Sequence, residues 1–107
     1  AGKEMDIGRY YQNKEQYSAA INRFMVVVKD YQTTTHVPEA LHRLVEVYTT
    51  MGLKDDATHI AAVLGHNYPG SEWYKDSYAI LDPAQRATLK DQRSWVDRTI
   101  SGLLKPK

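Results

Sequence analysis

Ile7-Gly8-Arg9-Tyr10-Tyr11, followed by Tyr17, Ala20, Phe24, Val27 and Tyr31-Gln32, decides the fold, because the chain repeats it 37 residues later. The second copy reads Leu44-Val45, Tyr48, Lys54, Ala57, Ala61, Leu64 and Tyr68-Pro69. In both, an apolar pair is followed by an aromatic, then by an Ala nine positions further on. Apolar residues at this spacing fall on one face of a helix.

Such self-similarity is the tetratricopeptide signature, in which each repeat is a pair of antiparallel helices. Small residues let the helices approach closely: Gly8 on the first and Ala20 on the second. Tyr11 and Phe24 fill the seam, and Ile7 and Val27 extend it. Ile7, Tyr11, Ala20, Phe24, Leu44, Tyr48 and Ala57 are therefore expected in the core. No helix pair buries its apolar face alone, so neighbours must stack. The period exceeds the usual 34 by three, and a loop over Thr33-Thr34-Thr35-His36-Val37 is expected to absorb the excess. The expected fold is all-α, a right-handed tetratricopeptide-repeat superhelix with a C-terminal capping helix. Its units are residues 1–34, 38–70 and 71–107, the last a partial repeat plus cap.

Local signals give six helices. The first spans Gly2 to Asn13, and Asn13-Lys14-Glu15-Gln16 turns the chain into a second that ends at Asp30. Pro38 is expected at the first position of helix three, where its missing N–H is harmless. Gly52 suits a left-handed C-cap after Met51, and helix four spans Lys54 to Asn67. Ser71 is a good N-cap for a helix from Glu72 to Leu81. Asp82-Pro83-Ala84-Gln85 has the form of a capping box. It opens a sixth helix expected to reach Leu104, with Leu89, Val96, Ile100 and Leu103 on one stripe. Trp95 lies beside that stripe, either packed on helix five or free to contact a partner.

Composition narrows the function. With 107 residues and 42% apolar content the chain is one domain, or part of one, with a sizeable core. It has no starting Met and opens inside a helix, which reads as the C-terminal portion of a longer protein. A net charge of +1 gives no argument for nucleic acid. No apolar run is long enough to span a membrane. The absence of cysteine excludes disulfides and leaves the redox compartment open. From Arg86 onward there are six basic and two acidic residues. That terminal helix either meets an acidic partner or anionic headgroups, or is a solvated face.

No catalytic constellation appears. His36, His42, His59 and His66 form no paired-ligand spacing, so no metal site is expected. Asp55-Asp56 fits a helix start, where carboxylates favour the dipole, better than an acid–base pair. No nucleophile elbow, phosphate loop or dinucleotide fingerprint occurs. The chain is read as a non-enzyme without cofactors, and a binding role follows.

Two surfaces compete for that role. Arg23 lies between core positions Ala20 and Phe24 and should point away from the seam. There it is either a contact residue offering bidentate carboxylate recognition or a surface cation paired with Asp30 or Glu15. The concave face is the rival. Its residues off the seam are Met5, Arg9, Gln12 and Asn13, with His42, Glu46, Thr49 and Thr50 as equivalents. Arg9, Gln12 and Glu46 are the candidate contacts there. A peptide-binding co-chaperone clamp would use that groove, but it needs several free cations, and Arg9 is the clear one.

The chain also resembles a known family. Tyr10-Tyr11-Gln12-Asn13-Lys14-Glu15-Gln16-Tyr17, Ala19-Ala20-Ile21-Asn22-Arg23 and Lys29-Asp30-Tyr31-Gln32-Thr33-Thr34 look like the C-terminal repeats of the BamD family of outer-membrane β-barrel assembly lipoproteins. Glu39-Ala40-Leu41 and Val63-Leu64-Gly65-His66-Asn67-Tyr68-Pro69-Gly70-Ser71-Glu72-Trp73-Tyr74 extend the likeness, in the manner of alphaproteobacterial members. The resemblance implies a scaffold at the periplasmic face of the outer membrane, held there by an N-terminal lipid outside this sequence. It implies binding to the last POTRA domain of the barrel component BamA, alongside other assembly lipoproteins. Asn22-Arg23 match a family pair whose Arg contacts BamA, and Val26 and Asp30 on the same helix complete the expected partner-binding set.

Overall fold

The computed structural model describes residues 2–89. Its helices are α1 (Gly2–Asn13), α2 (Tyr17–Asp30), α3 (His36–Thr50), α4 (Lys54–Asn67) and α5 (Glu72–Ile80). Residues 83–89 open a further helix, α6. No strand occurs among the described residues. α1 packs on α2 and α3 on α4, while α3 also lies against α2 and α5. The fold is all-α, with the pairwise helix packing of tetratricopeptide repeats.

The seam between α1 and α2 is set by size. Ala20, Phe24 and Val27 are fully buried. Phe24 lies so close to α1 that a Cβ on Gly8 would fall 2.5 Å from its ring. Gly65 repeats the device on α4, where a Cβ would fall 2.6 Å from the Tyr74 ring of α5. Val26-Val27-Val28 is a poor helical run, by a few tenths of a kcal/mol per residue. Burying Val27 and Val28 outweighs that, at roughly 1.5–3 kcal/mol each.

The two inter-helix turns correspond bond for bond. Gln16 N–H donates to Tyr11 O at 2.9 Å, and Leu53 N–H to Tyr48 O at 2.9 Å. Both are the 6→1 bonds of a Schellman ending. The residue inside each turn has positive φ: Gly52 at 79° and, at the same position of the first repeat, Glu15 at 60°. Only the second repeat places glycine there.

Helix ends follow the sequence signals closely. Ser71 Oγ accepts from Trp73 N–H at 3.0 Å. Asp82 Oδ1 accepts from Gln85 N–H at 2.8 Å, and Gln85 Oε1 accepts from Asp82 N–H at 2.9 Å, a reciprocal capping box. The Gln85 bond, with Lys54 beside it, holds the Asp82 carboxyl below its ordinary range. Gln85 also donates to Thr58 Oγ1 on α4 at 2.9 Å, so the cap fastens α6 to the repeat below it.

Several expectations need correction. α3 begins at His36, so His36 and Val37 belong to the helix and the linking segment ends at Thr35. The linking segment is thus shorter than expected, because Val37 is buried and gains from entering the core. Pro38 therefore occupies the third helical position, where an N–H would still lack an intrahelical acceptor. Ile7, Tyr11 and Tyr48 are half-buried rather than central, while Met5, expected off the seam, is fully buried. The readings on Trp95, Val96, Ile100, Leu103 and Leu104 lie outside the described residues.

Candidate binding surfaces

The first surface is a groove beside α2. Tyr11, Ala19, Asn22, Arg23 and Val26 line a depression of about 320 Å³. Its polar end is Arg23, whose Nη1 donates to Glu4 Oε1 on α1 at 3.0 Å, with 42% of the Arg side chain exposed. The pairing expected with Asp30 or Glu15 is replaced by this one across the seam, because the side chain lies back toward α1. Its aromatic end is Tyr11, met edge-on by Tyr10 at 5.6 Å between ring centroids. Tyr10 is 58% exposed, well above the other exposed large apolar or aromatic residues described.

The second repeat has no equivalent. At the positions 37 residues on, Val63 replaces Val26 and is buried, and Ile60 replaces Arg23 and packs on the core. The scaffold thus fills this position with an apolar residue when packing requires one. Arg23 breaks the repeat pattern without a packing reason, a departure of the kind functional sites show.

The second surface runs across α1, α3 and α5. Arg9 Nη1 donates to Glu39 Oε2 at 2.8 Å, and Arg9 is also paired with Asp6. Arg43 donates to Glu39 Oε2 at 3.3 Å and to Glu46 Oε1 at 3.0 Å. Gln12 Nε2 donates to the same Glu46 oxygen at 3.0 Å. The Arg43 guanidinium lies over the Trp73 ring at 5.4 Å, and that ring meets His42 at 5.3 Å.

His42, expected to face the groove, is buried. Its Nε2 lies 3.2 Å from Glu46 Oε2 and its Nδ1 2.8 Å from Ser77 Oγ. Beside a carboxylate, Nε2 is the protonated nitrogen, so in the neutral ring Nδ1 accepts from the Ser77 hydroxyl. Burial alone would raise the Glu46 carboxyl. Hydrogen bonds from His42, Gln12 and Arg43 outweigh it and hold the group at about 2. Every ion pair here is internal, so the face is closed on itself.

Asn22, Arg23 and Val26 come together in the groove; Asp30 is exposed on α2 but does not line it. Arg9, Gln12 and Glu46 also come together, within the network. Arg43 corrects the view that Arg9 is the one clear cation there. Sequence reasoning missed Glu4, Arg43, Glu39, Trp73 and Ser77. The i, i+4 and i, i+3 spacings of Glu39, Arg43 and Glu46 could have found the α3 members. Glu4 and Arg23 carry no such signal, being 19 residues apart on different helices. Among the described residues no cluster of acidic, His or Cys side chains could hold a metal ion, and no helix is long and apolar enough to cross a membrane.

The outer membrane lipoprotein family (YfiO) matches residues 1–64, which carry the whole groove and the α1 and α3 parts of the network. The chain belongs to this family. It is 55% identical over 82 residues to the outer membrane protein assembly factor BamD of Caulobacter vibrioides, covering 77% of this chain and 27% of that protein. To the BamD of Rickettsia prowazekii it is 54% identical over 81 residues, covering 76% and 32%. To that of Neisseria meningitidis serogroup A it is 37% identical over 70 residues, covering 65% and 26%. The chain spans about a quarter to a third of the length of these curated relatives. No solved structure matches. The family model ends at Leu64, short of Trp73 and Ser77 on α5, whereas the matches to the Caulobacter and Rickettsia proteins are long enough to take in both residues.

Proposed function

We propose that this chain is a non-catalytic scaffold of the outer-membrane β-barrel assembly machinery. In this reading it sits at the periplasmic face of the outer membrane, anchored by an N-terminal lipid, among other assembly lipoproteins. Its groove on α2 takes the POTRA domain of BamA nearest the barrel. The observation that carries the reading is the groove itself: Asn22, Arg23 and Val26 share it with Tyr11. Arg and Tyr are the residue types enriched at interface hot spots. The relatives' names, all outer membrane protein assembly factors, support the same reading.

The state of the inner face argues against a peptide clamp. A clamp holds a carboxylate with free cations, whereas Arg9 and Arg43 are already neutralised by Glu39, Glu46 and Asp6. Titration calorimetry of the chain against the isolated POTRA domain tests the proposal. Saturable binding that Arg23→Glu abolishes, with helicity intact, is expected. Unchanged affinity in a folded Arg23→Glu chain would move the interface to the face around Arg9, Gln12 and Glu46.

A further inference from the structure

We infer that Glu4 is an autoinhibitory residue of the groove: it occupies Arg23 in the free chain and competes for it with a partner carboxylate. The inference rests on the reading of the groove as a docking surface. Its observation is the Arg23 Nη1–Glu4 Oε1 bond of 3.0 Å, made with 42% of the Arg and 23% of the Glu side chain exposed. The pair is partly buried and held by one bond, so it exchanges more readily than a pair tied into a network.

The contact is single-pronged: one guanidinium nitrogen meets one carboxylate oxygen. A guanidinium offers five N–H donors in a planar fork, and a carboxylate arriving along two of them makes a stronger, bidentate pair. Such a partner displaces Glu4 or shares Arg23 with it, and in both cases the Glu4 charge opposes it. A neutral acceptor, such as an amide or hydroxyl, makes too weak a bond to compete. Glu4 thereby lowers affinity for every ligand that takes Arg23 from it, including the carboxylate whose charge it also opposes. The partner chemistry that fits is an Asp or Glu side chain presented with both oxygens toward the groove.

Glu4→Gln separates charge from geometry, because the amide oxygen still accepts from Arg23 while the competing charge is gone. Asp6→Asn is the control. It removes the same charge from the same helix, but Asp6 is paired with Arg9 on the inner face. In calorimetry against the POTRA domain, Glu4→Gln is expected to bind about two- to fivefold tighter than the natural sequence, with a steeper salt dependence. Asp6→Asn is expected to leave affinity unchanged, and Glu4→Gln in an Arg23→Ala background to have no effect. If Glu4→Gln binds equally or more weakly while Arg23→Ala weakens binding tenfold or more, Glu4 is not a competitor and the inference fails, with the interface standing. If Arg23→Ala binds as tightly as the natural sequence, the interface reading fails and takes the inference with it. Circular dichroism of each variant confirms that the helices persist.

Discussion

The groove on α2 and the inner face across α1, α3 and α5 both display arginine and carboxylate, yet they are built for opposite ends. On the inner face Arg9 and Arg43 each have two acidic partners, and Glu39 and Glu46 are shared, as where Glu46 takes hydrogen bonds from His42, Gln12 and Arg43. In the groove a single cation has a single partner, beside an exposed aromatic edge. A network resists exchange because several bonds must break together. A lone pair does not. The inner face therefore holds the helices in register, which is why the proposed docking site is the groove.

Binding gives the largest expected separation between them. Arg23→Ala should cost about 2–5 kcal/mol of affinity for the POTRA domain, as truncation of one partner of a desolvated charge pair does. Arg23→Glu should cost more, since it sets like charges together. Arg43→Ala should leave the affinity within about threefold, because Arg43 is spent on Glu39, Glu46 and Trp73. Equal losses from Arg43→Ala and Arg23→Ala, both folded, would erase the distinction.

Stability should show the reverse order. Glu46→Ala leaves His42 Nε2, Gln12 and Arg43 without their shared acceptor. The expected destabilisation is roughly 1–3 kcal/mol, the range for stranding partly buried polar groups, read by thermal or urea unfolding. POTRA affinity should be unchanged in the folded fraction.

The same residue sets an acid limb. The Glu46 carboxyl lies at about 2 in the folded chain against an ordinary value of 4.5. The folded state binds this proton less readily than the unfolded one. Its contribution is therefore fully present above about pH 4.5 and is lost as the pH falls through 2. Allowing for solvent screening, about 1–3 kcal/mol should disappear across that window. Glu46→Gln should flatten the limb, and an acid-unfolding curve of unchanged shape in that variant would remove Glu46 from the account.

The fold was largely legible because repeat packing writes itself into sequence at fixed spacing. Ala20, Phe24 and Gly8, the Gly52 turn and the Asp82–Gln85 box each follow from local rules. The groove residues Asn22, Arg23 and Val26 were legible only through the resemblance, since an outward Arg on a helix is common. The pairings were not legible. Arg23 with Glu4, and His42 with Ser77, join side chains from different helices whose rotation about their axes no local rule fixes to one residue. Met5 shows the same limit. A small rotation of α1 carries it from the expected groove into the core, and the hydrophobic gain of burying a thioether outweighs whatever polar setting the spacing suggested.

The smallest expected effect sharpens the comparison most. A double-mutant cycle on Glu4 and Arg23, with alanine at each, should give a coupling energy below about 1 kcal/mol, the range for exposed pairs. Arg23 lies 42% and Glu4 23% exposed, so water competes for both. The matching cycle on Gln12 and Glu46 should give more, because Glu46 is held in a network, its acceptor oxygens shared with Arg43 and His42. If the groove pair proved the more strongly coupled, Arg23 would be a structural strut. A partner would then have to break a bond the fold depends on, and mutations of Arg23 would lower the melting temperature as well as the affinity. A weak coupling at Glu4–Arg23 beside a strong one at Gln12–Glu46 leaves the groove cation available at little cost to the fold, as a docking residue requires.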